Sequence, residues 1–458
     1  MVTDFYDPLY GQIVIPPPYM PIVDSPAFRR LQYLRQLGLC YLSFPGGNHT
    51  RFEHSLGAFH LAGFIGQTFE KSKVIDAYER NRLVHMLRLA ALCHDIGHGP
   101  FSHMSENVLL GLGASVTHEE MGAAVLIHHL SYAFEPFKDF NITPELIGSL
   151  ITHTPTSDRM AGWVADLISS DFDVDRLDYL QRDAHYAGYR HNISINPAEL
   201  EDVWNLNLSN RSFYPELTED GVRYAEGVLL LRRVNYQRIV FESRHMSATG
   251  MFEKALYFAF QSLTHFGNLL RTIVATHVDW KAPKEVKDTL PTLLEVYGMV
   301  DYEALKRIEE SHSDARYLIT RIRRGSLFNS LARWSWVKLH YLVKHRLMAL
   351  KGASQNFQFR RGLEIFLART AGVDSKHVIV RVPEIRLPKP LLLGVQGGGT
   401  LTDNSELGRF LHDDFLRQYA VEIFIDPQVD ERTRSVVLNT AVNVFERGFL
   451  EIEEFGEG

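Results

Sequence analysis

The chain has 458 residues, 45% of them hydrophobic and 22% charged, so it can bury a large core and is too long for one typical domain. Its formal net charge of −7 argues against a generally basic nucleic-acid-binding protein, because non-specific affinity for phosphates needs clustered Lys and Arg. With only two cysteines, neither a disulfide framework nor a thiolate metal cluster is expected, and any metal must be held by His and carboxylates.

The sequence also bears on location. No apolar stretch is long enough to span a membrane, and the first residues lack the basic and apolar regions of a signal peptide. We therefore expect a cytoplasmic protein with no membrane partner, and we do not expect nucleic acid as a partner.

The N-terminal region predicts a short β-element followed by a helix. Residues 7–11 are typical of a turn, and residues 12–15 of a short strand that three prolines then end. Ser25 can cap a helix that has Pro26 in its first position. Apolar residues recur at a spacing of three at Phe28, Leu31, Leu34 and Leu37. We expect this helix to end near Gly38.

The rest of the chain predicts a mainly α fold with a smaller mixed region. The apolar pattern is mostly helical as far as about residue 350, for example in residues 81–92 and 225–240, whereas residues 378–380 and 421–425 are typical of strands. We expect a helical domain over residues 1–354 and an α+β region over residues 355–458. The glycine-rich run at 396–401 lacks the lysine of a P-loop, so we interpret it as a surface loop.

Histidines concentrate in one part of the chain. Eight of the 21 lie between His49 and His118, and the densest group is the segment 93–103. The adjacent His94 and Asp95 cannot share one helix face. At a helix end opened by glycines both side chains can turn toward one point, and a bound metal would explain such crowding.

Two other segments accompany this group. His54 stands at the start of an apolar helical stretch, and four aspartates occur between Asp171 and Asp178 beside apolar residues. Taken alone, the acidic segment is equally typical of a solvated helix start, since Asp favours the positive end of the helix dipole. A single His-Asp pair is likewise more often structural than metal-binding.

In the order and the type of their residues, the three segments match the H…HD…D pattern of the HD superfamily. They resemble most closely its deoxynucleoside triphosphate triphosphohydrolases, the SAM- and HD-domain protein family. Matching motifs at residues 44–46, 51–57, 94–103, 117–119 and 173–179 lie in a region that runs from about residue 7 to residue 245. The resemblance implies an HD-domain helical bundle of the bacterial type, without a SAM domain, and a homo-oligomer.

The resemblance also implies a metal site and a reaction. Its ligands would be His54, His94, Asp95 and Asp175, a donor set that suits Mn, Fe, Zn or Mg. The reaction would be hydrolysis of a deoxynucleoside triphosphate at the α-phosphorus, which yields the deoxynucleoside and inorganic triphosphate.

The same comparison assigns catalytic groups near the metal. His103 matches the residue that protonates the leaving oxygen, and His98, Glu106 and His118 match its catalytic neighbours. Histidine suits this work because its pKa lies near neutrality. For His98 and His118, support of the metal ligands is an alternative role.

Further positions match substrate contacts. Gln36 and Leu37 match a pair that binds the 3′ hydroxyl and crowds the 2′ position of the sugar. The remaining matches are Arg51, Arg176 and Arg232 for phosphates, with Arg233 as an alternative to Arg232, and Tyr179 and Asp183 for the sugar. Where the family often has an aromatic residue against the base, this chain has Val240, so the base preference is open.

Other functions stay open at this point. Another HD phosphohydrolase could use the same metal centre on a dinucleoside polyphosphate, a ribonucleotide or a nucleoside monophosphate. A cyclic-dinucleotide phosphodiesterase is disfavoured, because that group has Lys at the position of His98. A nucleotide-sensing scaffold with a vestigial site is disfavoured by the presence of all four ligand types.

Overall fold

The structure is a computed structural model. It describes residues 3–71, 75–158, 160–170, 172–189, 195–209, 212–276, 280, 283–350, 352–382, 394–395, 398, 400–413 and 419–448. Over these ranges, none of the helices combines the length and the apolar character that crossing a membrane requires.

The chain begins with an antiparallel hairpin of β1 (Thr3–Asp7) and β2 (Gly11–Ile15). The Asp7 carboxylate accepts hydrogen bonds from the amides of Leu9 and Tyr10 at 2.8 and 3.1 Å and so orders the turn. Gly11 has a φ of +69°, which a residue with a Cβ rarely adopts. The predicted N-terminal β-element is confirmed.

The first predicted helix is present but shorter than expected. After α1 (Met20–Val23), the Ser25 hydroxyl caps α2 (Pro26–Arg29) by accepting a hydrogen bond from the amide of Phe28 at 3.2 Å. One 3₁₀ turn, Arg30–Tyr33, follows, and Leu34 is extended with a φ of −109°. The prediction of a helix that reaches Gly38 is therefore wrong.

A tertiary contact ends this helix. The amide of Gln36 donates to the carbonyl of His49 at 3.0 Å, and the amide of Arg51 donates to the carbonyl of Leu34 at 2.9 Å. This pairing requires an extended backbone at Leu34. The spacing of apolar residues could not predict it, because the partner residues are distant in sequence. It brings Gln36 and Leu37 beside the start of the next helix.

The body of the protein is helical, as predicted. The helices before residue 190 are α3 (Arg51–Lys71), α4 (Ala77–Cys93), α5 (His103–Gly111), α6 (His118–His129), α7 (Pro144–Ile151), α8 (Ala161–Ile168) and α9 (Val174–Tyr186). Those after it are α10 (Leu200–Val203), α11 (Glu219–Asn235), α12 (Ser243–Gln261), α13 (His265–Ala275), α14 (Pro283–Tyr297), α15 (Asp301–Ser311), α16 (Ser313–Arg323), α17 (Tyr341–Ala349), α18 (Gly352–Ala371), α19 (Leu401–Asn404), α20 (Glu406–Asp413) and α21 (Glu431–Phe445).

Two small three-stranded sheets complete the fold. One contains β3 (Trp204–Ser209), β4 (Ser212–Leu217) and β7 (Gly394–Val395), and the other contains β5 (Asn329–Ser335), β6 (Val378–Arg381) and β8 (Ala420–Ile425). The strands predicted at 378–380 and 421–425 are thus confirmed. The domain boundary after residue 354 stays a prediction, and β5 joins a sheet with two strands from beyond it. Half of the glycine-rich run at 396–401, namely residues 396, 397 and 399, lies outside the described residues.

Helices α3 and α9 pack closely, and this contact positions the candidate site. A Cβ at Gly57 on α3 would overlap the carboxylate of Asp178 and the guanidinium of Arg182, both on α9. Asp178 and Arg182 are fully buried. Only glycine therefore lets the two helices approach closely enough to carry these charged side chains between them.

We predict that Gly57→Ala destabilises the protein, because the added methyl must displace a buried ion pair. The cost should be about 1–3 kcal/mol, as for other overpacked sites. Gly162→Ala on α8 is the matched control, since a Cβ there meets open space. Thermal unfolding should show a lower midpoint for Gly57→Ala and an unchanged or slightly higher one for Gly162→Ala. Equal midpoints for the two variants would contradict the prediction.

Candidate metal centre and adjoining cavity

Three helices bring the four predicted metal ligands to one point. His54 lies near the start of α3, His94 and Asp95 follow the end of α4, and Asp175 lies in the first turn of α9. His54 Nε2 is 3.1 Å from His94 Nε2, 3.0 Å from Asp175 Oδ1 and 3.6 Å from Asp95 Oδ2. His94 Nε2 is 3.5 Å from Asp95 Oδ1 and 3.6 Å from Asp175 Oδ1. Segments far apart in sequence thus form one cluster, and their role as ligands stays a prediction.

Both imidazoles are held so that Nε2 faces this cluster. His94 Nδ1 is 2.8 Å from the carbonyl of Ala91, and His54 Nδ1 is 2.8 Å from Asp178 Oδ2. These oxygens only accept hydrogen bonds, so Nδ1 of each ring carries the proton and Nε2 is directed at the cluster. Metal-binding histidines are typically oriented in this way by a hydrogen bond at the other nitrogen.

A series of buried ion pairs supports His54. Arg182 Nε and Nη2 donate to the two oxygens of Asp178 at 2.8 Å, and Arg182 Nη1 donates to Asp7 on β1 at 2.7 Å. Although burial opposes ionisation, Arg182 holds the pKa of Asp178 below its usual value. The carboxylate is therefore charged and orients His54.

Asp95 is held from the other side by Arg51. The Arg51 guanidinium donates to Asp95 Oδ2 and, through Nε, to the hydroxyl of Ser102 at 2.5 Å. Burial raises the pKa of Asp95, but the charges of Arg51 and His94 hold it well below its usual value. Arg51, which was predicted to contact phosphate, thus borders the cavity while contacting a predicted metal ligand.

The loop that follows Asp95 is fixed by distant residues. Arg30 donates to the carbonyls of Ile96 and His98 at 3.1 and 2.8 Å. Asp301 accepts a hydrogen bond from the amide of Phe101 at 2.8 Å. Phe101 has a φ of +56°, a strained value for a residue other than glycine, and such strain is often kept at functional sites.

The residues of the cluster fit a divalent metal. Two imidazole nitrogens point at each other across 3.1 Å, and carboxylate oxygens of Asp95 and Asp175 lie beside them. Two His and two Asp form a donor set that suits Mn, Fe, Zn or Mg. The Asp175 side chain is 33% exposed, whereas His54 and Asp95 are buried, so the open side of the cluster faces the cavity.

The four predicted catalytic residues form a second group beside the first. Glu106 lies 3.0 Å from His103 Nδ1 and 2.8 Å from His118 Nδ1, and the rings of His98 and His118 stack with centroids 3.7 Å apart. Parallel stacked rings cannot both point a lone pair at one ion, so this group suits proton handling better than a second metal.

Charge is distributed unequally within this second group. Burial lowers the pKa of His98 well below its usual value, so its ring is neutral. Burial also disfavours a charge on His118, but Glu106 outweighs it and raises the pKa of His118. His103 is the member that reaches solvent, with 62% of its side chain exposed.

Both groups border a cavity of about 420 Å³. Of the predicted substrate residues, the cavity lining includes Gln36, Leu37, Arg51, Arg176, Tyr179 and Asp183. The structure does not bring Arg232 into this lining; its guanidinium lies 5.5 Å from the ring centroid of Tyr236. Arg233 stands 5.9 Å from the ring of Phe410. Arg176 is anchored by Asp173, which precedes α9.

The sequence analysis missed part of the cavity wall. Tyr236 and four residues of α12 and β6, His245, Thr249, Glu253 and Arg381, line it. The residues 245, 249 and 253 recur every four positions and so share one face of α12 over about 12 Å. The spacing of the α12 residues could have identified them from the sequence. Nothing in the sequence indicates that β6, which carries Arg381, approaches α12.

Known proteins are similar to the part of the chain that contains the two clusters. Residues 51–183 match the HD domain family model. Deoxynucleoside triphosphate triphosphohydrolase SAMHD1 of Homo sapiens is 35% identical over 214 residues, which are 41% of this chain and 33% of that protein. SAMHD1 of Gallus gallus is 34% identical over 213 residues. The chain therefore matches about a third of the length of these curated relatives.

Two other comparisons extend beyond this region. An uncharacterised protein, MG461 of Mycoplasma genitalium, is 30% identical over 278 residues, which are 57% of this chain and 60% of that protein. A crystal structure of a hypothetical protein from Aquifex aeolicus matches 95% of this chain and 100% of that chain, with a TM-score of 0.62 and 22% sequence identity. The latter likeness shows a shared fold.

We predict that metal affinity rises with pH. Burial disfavours a charge on His54, but hydrogen bonds to Asp175 and Asp178 raise the pKa of His54 from 6.5 to about 10. A metal must displace the proton on Nε2, so affinity should fall about tenfold for each pH unit below neutrality. Because the folded pKa is raised, the stability that His54 gives the metal-free protein is complete below pH 6.5 and is lost toward pH 10.

Calorimetric titration with Mn²⁺ at pH 6, 7 and 8 measures this dependence. Asp178→Asn removes one of the carboxylates that raise the pKa of His54 while keeping its shape, so its affinity should vary less with pH. An affinity of the wild-type protein that does not change between pH 6 and pH 8 would contradict the prediction.

Proposed function

We propose that this chain, a member of the HD superfamily, hydrolyses deoxynucleoside triphosphates to the deoxynucleoside and inorganic triphosphate in the presence of a divalent metal, and that it acts as a homo-oligomer. The observation that carries the proposal is one cavity whose lining combines members of the His and Asp cluster and two arginines with groups suited to a sugar.

Three residues of the lining, Gln36, Tyr179 and Asp183, support a nucleoside as ligand. Asp183 is held by His49 Nε2 at 2.9 Å, and the phenol ring of Tyr179 lies close by in the same wall. Within the part of the chain that the structure describes, the buried amide oxygen of Gln36 has no hydrogen-bond partner. Since buried polar atoms nearly always have a partner, a ligand hydroxyl is the group that this oxygen lacks.

The His and Asp cluster and Arg176 support hydrolysis of a phosphate ester. A divalent ion bound to His54, His94, Asp95 and Asp175 would act as a Lewis acid toward a phosphate oxygen. Arg176 borders the same space and suits a phosphate, because its planar guanidinium can donate two hydrogen bonds at once. Its link to Asp173 limits where the guanidinium can reach.

His103 is suited to protonate the leaving oxygen. The Glu106 carboxylate, whose pKa lies well below its usual value because His118 and His103 outweigh its burial, accepts the Nδ1 proton of His103. The Nε2 nitrogen of His103 is then the atom left to exchange a proton with a group in the cavity. His118 shares the same carboxylate and fixes its position.

The reaction is tested by incubating the protein with dATP, dGTP, ATP and GTP plus Mn²⁺ and separating the products by chromatography. We expect equal amounts of deoxynucleoside and triphosphate, and no turnover by Asp95→Ala. Release of pyrophosphate or single phosphate would replace the proposal by another HD phosphohydrolase reaction.

We predict at least a roughly tenfold preference for deoxy over ribo substrates. Leu37 would place an apolar group against the 2′ edge, and burying a hydroxyl without a partner costs on the order of 1–3 kcal/mol. Leu37→Gly should narrow the preference, while Leu263→Gly, which changes a leucine that is 92% exposed and outside the cavity lining, should leave it intact. Equal rates with ATP and dATP would contradict the deoxynucleotide assignment.

We also predict that His103→Gln lowers the turnover rate by about 10²-fold or more, because an amide cannot transfer a proton. Its metal content should equal that of the wild type, since His103 is outside the metal cluster. His265→Gln, at a histidine side chain that is 79% exposed, is the control and should keep full activity. A rate of His103→Gln within twofold of the wild type would exclude this role.

A further inference from the structure

Among the described residues, three arginines line the cavity, and Arg381 is the one without an assigned role. Arg51 and Arg176 each donate to an aspartate. Arg381 lies at the end of β6, and its side chain lies against Gly250 of α12, where a Cβ would be 3.1 Å from Arg381 Cδ. Only 12% of this side chain is exposed. A glycine thus makes room for a third, largely buried guanidinium in the cavity wall.

A series of contacts connects Arg381 with Tyr179, which is assigned to the sugar. Burial raises the pKa of Tyr179 well above its usual value, and the nearby Tyr236 raises it further. Tyr236 begins the turn that contains Ile239, whose carbonyl oxygen lies 3.3 Å from His245 Nδ1. Burial lowers the pKa of His245, and the positive charge of Arg381 contributes to this decrease. Arg381 therefore belongs to the wall that adjoins the proposed sugar position.

Glu253 fixes one side of the Arg381 guanidinium and leaves the other side free. Arg381 donates from Nη1 to Glu253 Oε2, and its Nε is buried without a hydrogen-bond partner among the described residues. The Nε and Nη2 atoms of an arginine lie on one edge and can donate two parallel hydrogen bonds. Since buried donors nearly always have a partner, a ligand group with two neighbouring acceptors suits this edge.

The base is the part of a nucleotide that is left for Arg381. The proposed function assigns the phosphates to the His and Asp cluster with Arg176, and the sugar to Tyr179 and Asp183. The carboxylate of Glu253 also lines the cavity. Although burial raises the pKa of Glu253, its partners Arg381 and Arg360 hold it below its usual value, so this carboxylate is charged. A charged carboxylate repels a phosphate placed beside it, whereas a neutral base meets no such repulsion.

We infer that Arg381 recognises the base of the nucleotide and gives the protein a preference for guanine. This inference rests on the proposed function and adds a residue that determines specificity. Guanine has two neighbouring acceptors on one edge, O6 and N7, and the free edge of an arginine can donate to both. Adenine has an amino group in place of O6, and the pyrimidines lack N7. Guanine is thus the base that matches two parallel donors.

Steady-state rates with the four deoxynucleoside triphosphates and Mn²⁺ test the inference. We expect kcat/KM for dGTP to exceed that for dATP about tenfold or more, since one bidentate contact between arginine and guanine discriminates to this extent. The analogue 7-deaza-dGTP, which lacks only the N7 acceptor, should lose most of this advantage. Its use by the wild-type protein does not depend on the folding of any variant.

Two variants separate base recognition from charge. Arg381→Met and Arg381→Lys should both bring the ratio of kcat/KM for dGTP and dATP close to one, because lysine keeps the charge without the two parallel donors. Glu253 keeps its hydrogen bond from Arg360 at 2.7 Å, so neither variant leaves this buried carboxylate unpaired. Arg369→Met, at an exposed arginine of α18 outside the cavity lining, is the control and should keep the wild-type ratio.

Calorimetric titration with dGMP and dAMP gives a result that does not depend on turnover. The wild-type protein should bind dGMP about tenfold more tightly than dAMP, and Arg381→Met should bind the two alike. Products other than deoxynucleoside and triphosphate would contradict the proposed function, and this titration would then decide the role of Arg381 by itself.

Other outcomes would overturn the inference and leave the proposed function standing. One is the release of deoxynucleoside and triphosphate at equal kcat/KM from dGTP and dATP. Another is a loss of equal size for all four substrates in Arg381→Met, which would show that the arginine contacts a phosphate. A third is unchanged use of 7-deaza-dGTP, which would exclude the contact with N7.

Discussion

The structure depends on the hydrogen bond between His54 and the buried Asp178. Three segments of the chain must bring two imidazoles within 3.6 Å of two carboxylates, and such crowding is unfavourable without a partner for each charge. Asp178 orients His54, and Arg182 neutralises Asp178 and reaches the hairpin at Asp7. The packing of α3 on α9 at Gly57 makes this arrangement possible.

The same principle organises the loop that carries the second histidine group. Arg30, near the N-terminus, donates to two carbonyls of the loop, and Asp301, from the second half of the chain, accepts an amide hydrogen bond from it. The loop contains residues with positive φ that would not adopt this backbone alone. Buried polar contacts from distant segments therefore fix the backbone of this loop, and the loss of any of them should also displace the neighbouring predicted metal ligands.

Helix α12 connects this site with the small C-terminal sheet. One face of α12 lines the cavity at His245 and Thr249. The same helix carries Glu253 and Lys254, which form ion pairs with Arg360 and Glu364 of α18 and with Arg381 of β6. The residues beyond position 350 thus belong to the cavity wall as well, because Arg381 lines it. The cavity and the packing of the C-terminal region therefore depend on one helix.

The sequence alone determined the mainly α character, the short N-terminal strand and the strands near residues 380 and 423, because these features depend on local periodicity. It indicated the residues of the two clusters only through the resemblance of separate motifs to the HD superfamily. Only the tertiary structure decided where the first helix ends, because the pairing of Leu34 with Arg51 is a non-local hydrogen bond. It also decided that the cavity lining includes Arg381 but not Arg232, because the spacing of residues in the sequence does not show which side chains meet across the fold.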